Sequence, residues 1–170
     1  TEASIVGKSS LGTDSISSVL GPEMDVVPDT PILGLDISSK INGQSSPTIK
    51  PKETLEYSGT LTKSNAHSEL SKIFIQIQLS AGLKDINRES LKVNGASVNP
   101  ENITYNEGTN TVSILSDELL DFTTSNLSVV YSPIRTSTTL GTQLETTITL
   151  TGENAVGEIV RVSKKSSTTQ

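Results

Sequence analysis

The sequence predicts an all-β fold of antiparallel sheets packed face to face, and three observations carry that prediction. Apolar residues recur with period two in one segment after another. Ser and Thr stand where a globular chain usually has aliphatics. Asn-Gly pairs and prolines separate the alternating segments. Alternation of period two puts successive side chains on opposite faces of a strand, one buried and one wet. Threonine suits such strands because its branched β-carbon packs well on a pleated surface.

Residues 1–31 show little periodicity. Gly7, Gly12, Gly21, Pro22, Pro28 and Pro31 interrupt them at short intervals, which predicts an irregular N-terminal arm or linker. Within it, 15–20 is readable as a helical turn or as a strand. From Ile32 the period becomes two. Leu33, Leu35 and Ile37 share one face; so do Leu55, Tyr57 and Leu61. Ile73, Ile75, Ile77 and Leu79 make the cleanest strand. Val112 and Ile114 follow, then Leu127, Val129 and Tyr131, then Leu144, Ile148 and Leu150. Val156, Val160 and Val162 give a last candidate. Asn42-Gly43 and Asn94-Gly95 supply residues that accept positive φ at hairpin turns. Pro47, Pro51, Pro100 and Pro133 are expected at or near strand ends, where a missing N–H costs least. Asp117–Phe122 is expected to form one helical turn.

About seven short strands divided by turn signals describe an immunoglobulin-like antiparallel β-sandwich. The domain is expected to span 32–163, with 164–170 as a C-terminal tail. Parallel α/β architecture is disfavoured, because its crossovers need helical connections that the periodicity does not supply.

Composition narrows the function classes. Hydrophobic residues are 32% of the chain, yet net charge is only −6, and disorder usually needs high charge as well as low hydrophobicity. The absence of cysteine removes disulfides, thiolate metal sites and cysteine nucleophiles. It points to a bacterial surface protein or to the cytosol. No apolar run reaches the roughly 18 residues that suggest a membrane span. No signal-peptide pattern opens the chain, so any leader is expected to be removed or upstream. A pI near 4.8 disfavours nucleic acid and anionic lipid as partners.

His67 is the single histidine. A catalytic triad would rest wholly on it, but it sits in a polar Ser-Asn-Ala-His-Ser-Glu stretch that reads as solvated loop. Zinc is disfavoured for the same reason. Calcium needs only oxygen ligands, and Asp25, Asp29, Asp36, Asp117, Glu118 and Asp121 offer some, but no calcium-loop pattern occurs. Paired carboxylates for glycoside hydrolysis cannot be recognised from spacing alone. With no tryptophan, two phenylalanines and three tyrosines, aromatic sugar platforms are scarce. The sequons at Asn102 and Asn126 carry no meaning in a bacterial protein. No catalytic, cofactor or metal site is assigned.

The order of short motifs resembles the DUF11-like repeat module of bacterial surface proteins, over roughly 33–152. Leu35-Asp36-Ile37-Ser38-Ser39-Lys40 is similar to its opening strand with a lysine. The stretch Ile49-Lys50-Pro51 to Glu56-Tyr57 is similar to its proline turn and strand ending in Tyr, with Lys52 where glycine is usual. Leu79-Ser80-Ala81-Gly82-Leu83 is similar to its "leucine, proline, alanine, glycine, leucine" turn, with Ser80 in place of proline. Val93-Asn94-Gly95 matches its hairpin. The resemblance implies a secreted or wall-attached module forming stalks or adhesive heads, with a protein as partner. Some bacterial surface sandwiches also join a lysine on an early strand to an asparagine on a late one. By order along the chain, Lys40, Asn154 and Glu56 as the assisting acid are the candidates for such an isopeptide bond. It requires a desolvated neutral amine and a protonated acid; the plainer reading of Lys40 is a solvated strand-end lysine.

The expected function is thus a non-catalytic structural or adhesive module of an extracellular, cell-surface or cell-wall protein. The alternatives are an accessory domain of a larger secreted hydrolase, and a pilin-like subunit assembling by strand donation from residues 1–31.

Overall fold

The computed structural model describes residues 2–8, 14–20, 31–64, 70–115 and 126–170. Its strands are β1 (Glu2–Lys8), β2 (Asp14–Leu20), β3 (Ile32–Ile41), β4 (Leu55–Ser64), β5 (Leu70–Leu79), β6 (Leu83–Val93), β7 (Ala96–Ser97), β8 (Ile103–Asn106), β9 (Thr111–Leu115), β10 (Asn126–Arg135), β11 (Gln143–Asn154) and β12 (Ile159–Thr169). One five-stranded sheet runs β3-β4-β10-β6-β7 and a second runs β12-β11-β5-β9-β8. Every ladder within them is antiparallel. The fold is the immunoglobulin-like sandwich that the alternation predicts, with more strands than seven.

The two sheets meet through the residues that alternation marks as inward. Leu55, Tyr57 and Leu61 of β4 and Leu127, Val129 and Tyr131 of β10 face Ile73, Ile75 and Ile77 of β5 and Leu144, Ile148 and Leu150 of β11. Gly59 interrupts the inward row of β4, and a Cβ there would lie 2.7 Å from Ile148 Cδ1. The two sheets approach closely at that point because the side chain is missing. Tyr57 and Tyr131 are cross-strand partners, with rings stacked at 5.7 Å. The Tyr57 hydroxyl donates to the Leu144 carbonyl at 2.8 Å. The Tyr131 hydroxyl shares a 2.7 Å hydrogen bond with Thr146 Oγ1. Both phenols therefore tie the first sheet to β11 of the second.

The turns follow their sequence signals. Asn42 and Gly43 have φ of 50° and 79°, and Asn94 and Gly95 have 50° and 80°, as two-residue hairpins require. Asn110, also at positive φ, holds the β5–β6 turn. Its side-chain amide donates to the carbonyls of Leu79, Ser80 and Leu83 at 2.9–3.0 Å. Its oxygen accepts from the Tyr105 hydroxyl at 2.9 Å.

Three expectations are corrected, and a further strand is found. Residues 2–8 and 14–20 of the expected irregular arm pair as an antiparallel hairpin, so 15–20 is strand. Residues 164–169 are no tail. They are the second half of β12 and pair with β11 from Lys164↔Ile148 to Thr169↔Gln143. Their inward positions carry Ser166 and Thr168 instead of aliphatics, so no alternation betrays the strand. Thr168 is nonetheless buried, and its hydroxyl donates to Ser39 Oγ on β3. Strand β6, missing from the alternation, is broken by an irregularity in which residues 88–91 face the single Tyr131 of β10. Pro133 lies inside β10, beyond Tyr131 where the β4 ladder ends, so its missing N–H removes no bond to β4. Asp117–Phe122 and His67 lie outside the described residues.

Burial pushes the Tyr57 phenol up to about 12 and raises Tyr131 further still. Unfolded tyrosines ionise near pH 10, so the unfolded chain loses these protons first. Their contribution is full below pH 10 and is lost as pH rises toward the folded values, at up to ~1.4 kcal/mol per pH unit for each group. Urea melts are expected to show falling stability above pH 10. Tyr131→Phe should flatten that slope and cost about 1 kcal/mol at neutral pH. A stability independent of pH up to 12 would contradict the buried-phenol account. Asn110→Ala should cost about 2–3 kcal/mol, since it strands several carbonyls and the Tyr105 hydroxyl. A loss below about 0.5 kcal/mol in the same melts would show that the turn holds without it.

Candidate binding surfaces

The residues proposed for a cross-link are not brought together. Lys40 and Glu56 are directly opposite on β3 and β4, but on the outward face, since Ile41, Leu55 and Tyr57 beside them point inward. Lys40 is exposed, so nothing desolvates its amine. Asn154 is buried at the far end of β11. Ser39, next to Lys40, touches Thr168, which pairs with Leu144. From Leu144 to Asn154 is a further ten residues, about 33 Å of strand at ~3.3 Å each. Asn154 instead builds the β11–β12 turn. Its Oδ1 accepts from the backbone N–H groups of Val156 and Glu158 at 3.1 and 2.8 Å, and its Nδ2 donates to Glu158 Oε2 at 3.1 Å.

Sequence reasoning also missed a buried cation. Lys63 stands two residues past Leu61 on the inward row of β4 and is 8% exposed. The period-two rule applied one step further would have placed it inward. The expected calcium ligand Asp36 is exposed on β3. The other acidic candidates lie outside the described residues, among which no group of three potential metal ligands gathers.

Two concavities among the described residues offer surfaces for a partner. One, of about 380 Å³, lies where the 51–53 turn meets the chain after β10. Arg135 crosses it, donating through Nη1 to the carbonyls of Lys50 and Glu53 at 3.0 and 3.2 Å. Arg135 Nε and both amide atoms of Gln170 are buried there without a partner among the described residues.

The other is a trough of about 260 Å³ across the outer face of the second sheet. Alternation supplies its lining: with Ile75, Ile77, Val112, Ile114, Ile148 and Leu150 inward, their neighbours face out. The register sets Thr149 beside Gln76 and Gln76 beside Ser113, and likewise Gln78 beside Thr111. Thr149 forms the floor, 6% exposed and hydrogen-bonded to Ser163 Oγ at 3.0 Å. Arg161 stands at the β12 side; Asn106 and Thr109 close the β8–β9 side. Nearby acids are neutralised, Glu153 by Lys72 and Glu145 by Lys165, each at 2.7 Å.

No family model and no curated protein matches this chain. Solved structures match it by fold. BcpA, the major pilin subunit of Bacillus cereus, superposes with a TM-score of 0.56 at 15% identity, over 98% of this chain and 47% of that one. Domains D2 and D3 of the major pilin SpaD from Corynebacterium diphtheriae give 0.53 at 14% identity, over 79% and 52%. The collagen binding domain of the Erysipelothrix rhusiopathiae surface protein RspB gives 0.50 at 13% identity, over 99% and 56%. The chain thus spans about half the length of each. What is shared at these identities is the sandwich fold.

Peptide mapping is expected to recover Lys40 and Asn154 as unmodified residues. A cross-linked peptide containing both would contradict the strand placement.

Proposed function

We propose that this chain is a non-catalytic structural or adhesive module of a bacterial surface protein, extracellular and held at the cell wall, serving as a stalk or meeting a protein partner. The observation that carries this reading is the sandwich itself, shared over 98–99% of this chain with a major pilin and with a surface-protein domain. The chemistry of the described residues supports it. The largest pKa displacements fall on Tyr57 and Tyr131, which fasten the two sheets. Displaced groups in an enzyme usually cluster in a cleft with a charge partner. The outer faces are rich in Ser, Thr and Gln, a surface suited to contact through many small hydrogen bonds.

A pilin-like subunit is the second reading, favoured by the two pilins among the matching structures. Assembly would then involve a strand added to a sheet edge, and the hairpin at 2–8 and 14–20 supplies strands outside the two main sheets.

Antibodies against the folded chain are expected to label intact cells of the producing bacterium, and external protease should remove the label. Recovery of the chain only from the cytosol would overturn the surface reading. Light scattering on the purified chain separates the two versions: a monomer at all concentrations supports the single module, and a concentration-dependent polymer that is lost on removing residues 1–31 supports the pilin.

A further inference from the structure

We infer that the trough on the outer face of the second sheet is a binding site for an extended peptide segment that crosses the strands, carrying an acidic residue that meets Arg161. The inference rests on the adhesive reading above and gives it a site and a ligand chemistry.

The trough's direction comes from the sheet. Its lining runs from Arg161 on β12 through Thr149 on β11, Gln76 and Gln78 on β5, and Thr111 and Ser113 on β9. Asn106 on β8 ends it. Four inter-strand steps of ~4.8 Å give a length of about 19 Å, which about six extended residues would fill. An occupant laid this way meets side chains and leaves the strand edges alone, so the contact differs in kind from strand addition.

The lining selects the chemistry. Gln76 and Gln78 each present a carbonyl and an NH₂, and Ser113 and Thr111 present hydroxyls, so every position both donates and accepts. A peptide main chain offers donors and acceptors alternately along its length and matches such a surface. A glycan would be expected to want aromatic platforms, and no aromatic residue lines the trough. A strongly charged polymer would find a single charge there. That charge, Arg161, has no acidic partner among the described residues, whereas Lys72 and Lys165 at the flanks are already paired. The face therefore offers one unmatched positive group beside a neutral hydrogen-bonding row. Its complement is a neutral peptide with one carboxylate. The guanidinium donates parallel N–H bonds to such a carboxylate.

The test is selection of phage-displayed random peptides on the immobilised intact chain. Selected sequences are then synthesised with a fluorescent label and titrated by anisotropy. Wild type is compared with Arg161→Glu, which reverses the charge, and with Ser113→Trp and Gln78→Trp, which fill the trough. These side chains face solvent, so the variants should keep the fold, which circular dichroism checks. Selected peptides are expected to share an Asp or Glu, to lose at least about tenfold in affinity to Arg161→Glu, and to lose measurable binding to either Trp variant. Peptides that bind the Trp variants as well as wild type would overturn the trough while leaving a protein-binding surface elsewhere. Selection of no peptide would overturn it as well, and the cell-surface labelling then decides the broader reading separately. Trough-dependent peptides without an acidic residue, indifferent to Arg161→Glu, would overturn the role of the arginine.

Discussion

The two phenol hydroxyls of Tyr57 and Tyr131 are the constraint around which the sandwich is organised. Strands β4 and β10 are interior strands of one sheet, and β11 is interior to the other. Aliphatic packing alone holds two sheets together without fixing their offset, because dispersion and hydrophobic burial are not directional. A hydrogen bond is directional. Two of them, from stacked neighbouring rings to Leu144 and Thr146, set where β11 lies along the first sheet. That placement in turn sets β5 and β12, which pair with β11 in register. The buried phenols carry a cost if left unpaired, of about 1–3 kcal/mol each, so an alternative offset that broke them would be penalised.

This economy suits a chain poor in apolar residues. With hydrophobic residues at 32% and no disulfide, the core cannot rely on volume. Asn110 plays a similar part at the sandwich edge, where one side-chain amide gathers three carbonyls from the β5–β6 connection. Thr168 and Ser39 join β12 to β3 where the two edges approach. Side-chain hydrogen bonds thus do at the margins what aliphatic contacts do at the centre.

The same chemistry explains which parts of the fold were legible in the sequence. Strands β3, β4, β5, β9, β10 and β11 announce themselves because apolar residues recur with period two along most of their inward rows. The Asn-Gly turns are legible because only a few residues accept positive φ. Strand β6 was hidden because its register against β10 shifts twice, between Pro133 and Arg135 and where residues 88–91 face Tyr131, so its buried Leu83, Ile86, Leu91 and Val93 fall at spacings of three, five and two. The end of β12 was hidden because its buried position is Thr168, indistinguishable in type from the exposed threonines. For the site, order along the chain was a poor guide. Lys40 and Asn154 satisfy an early-lysine, late-asparagine order, yet Lys40 is exposed on the outward face of β3 and Asn154 is buried at the far end of β11. In the sequence, Gln76 and Gln78 are only the polar half of an alternation. What makes them a surface is their cross-strand register, a property of pairs of strands that no single segment displays.

That register has a consequence for how such a surface can change. The trough residues of β5, β9 and β11 project from strands whose opposite face is core, with Ile75 and Ile77 flanking Gln76, and Val112 and Ile114 flanking Ser113. Inward substitutions disturb packing and are penalised by several kcal/mol. Outward ones exchange one solvated side chain for another and stay within about 0.5 kcal/mol. The sheet can therefore hold its shape while the outer row is rewritten, so affinity for a partner is free to vary at positions that stability scarcely notices. The exception is Thr149, buried in the trough floor and bonded to Ser163. It belongs to both sets, and a change there would alter the depth of the trough and the β11–β12 pairing together.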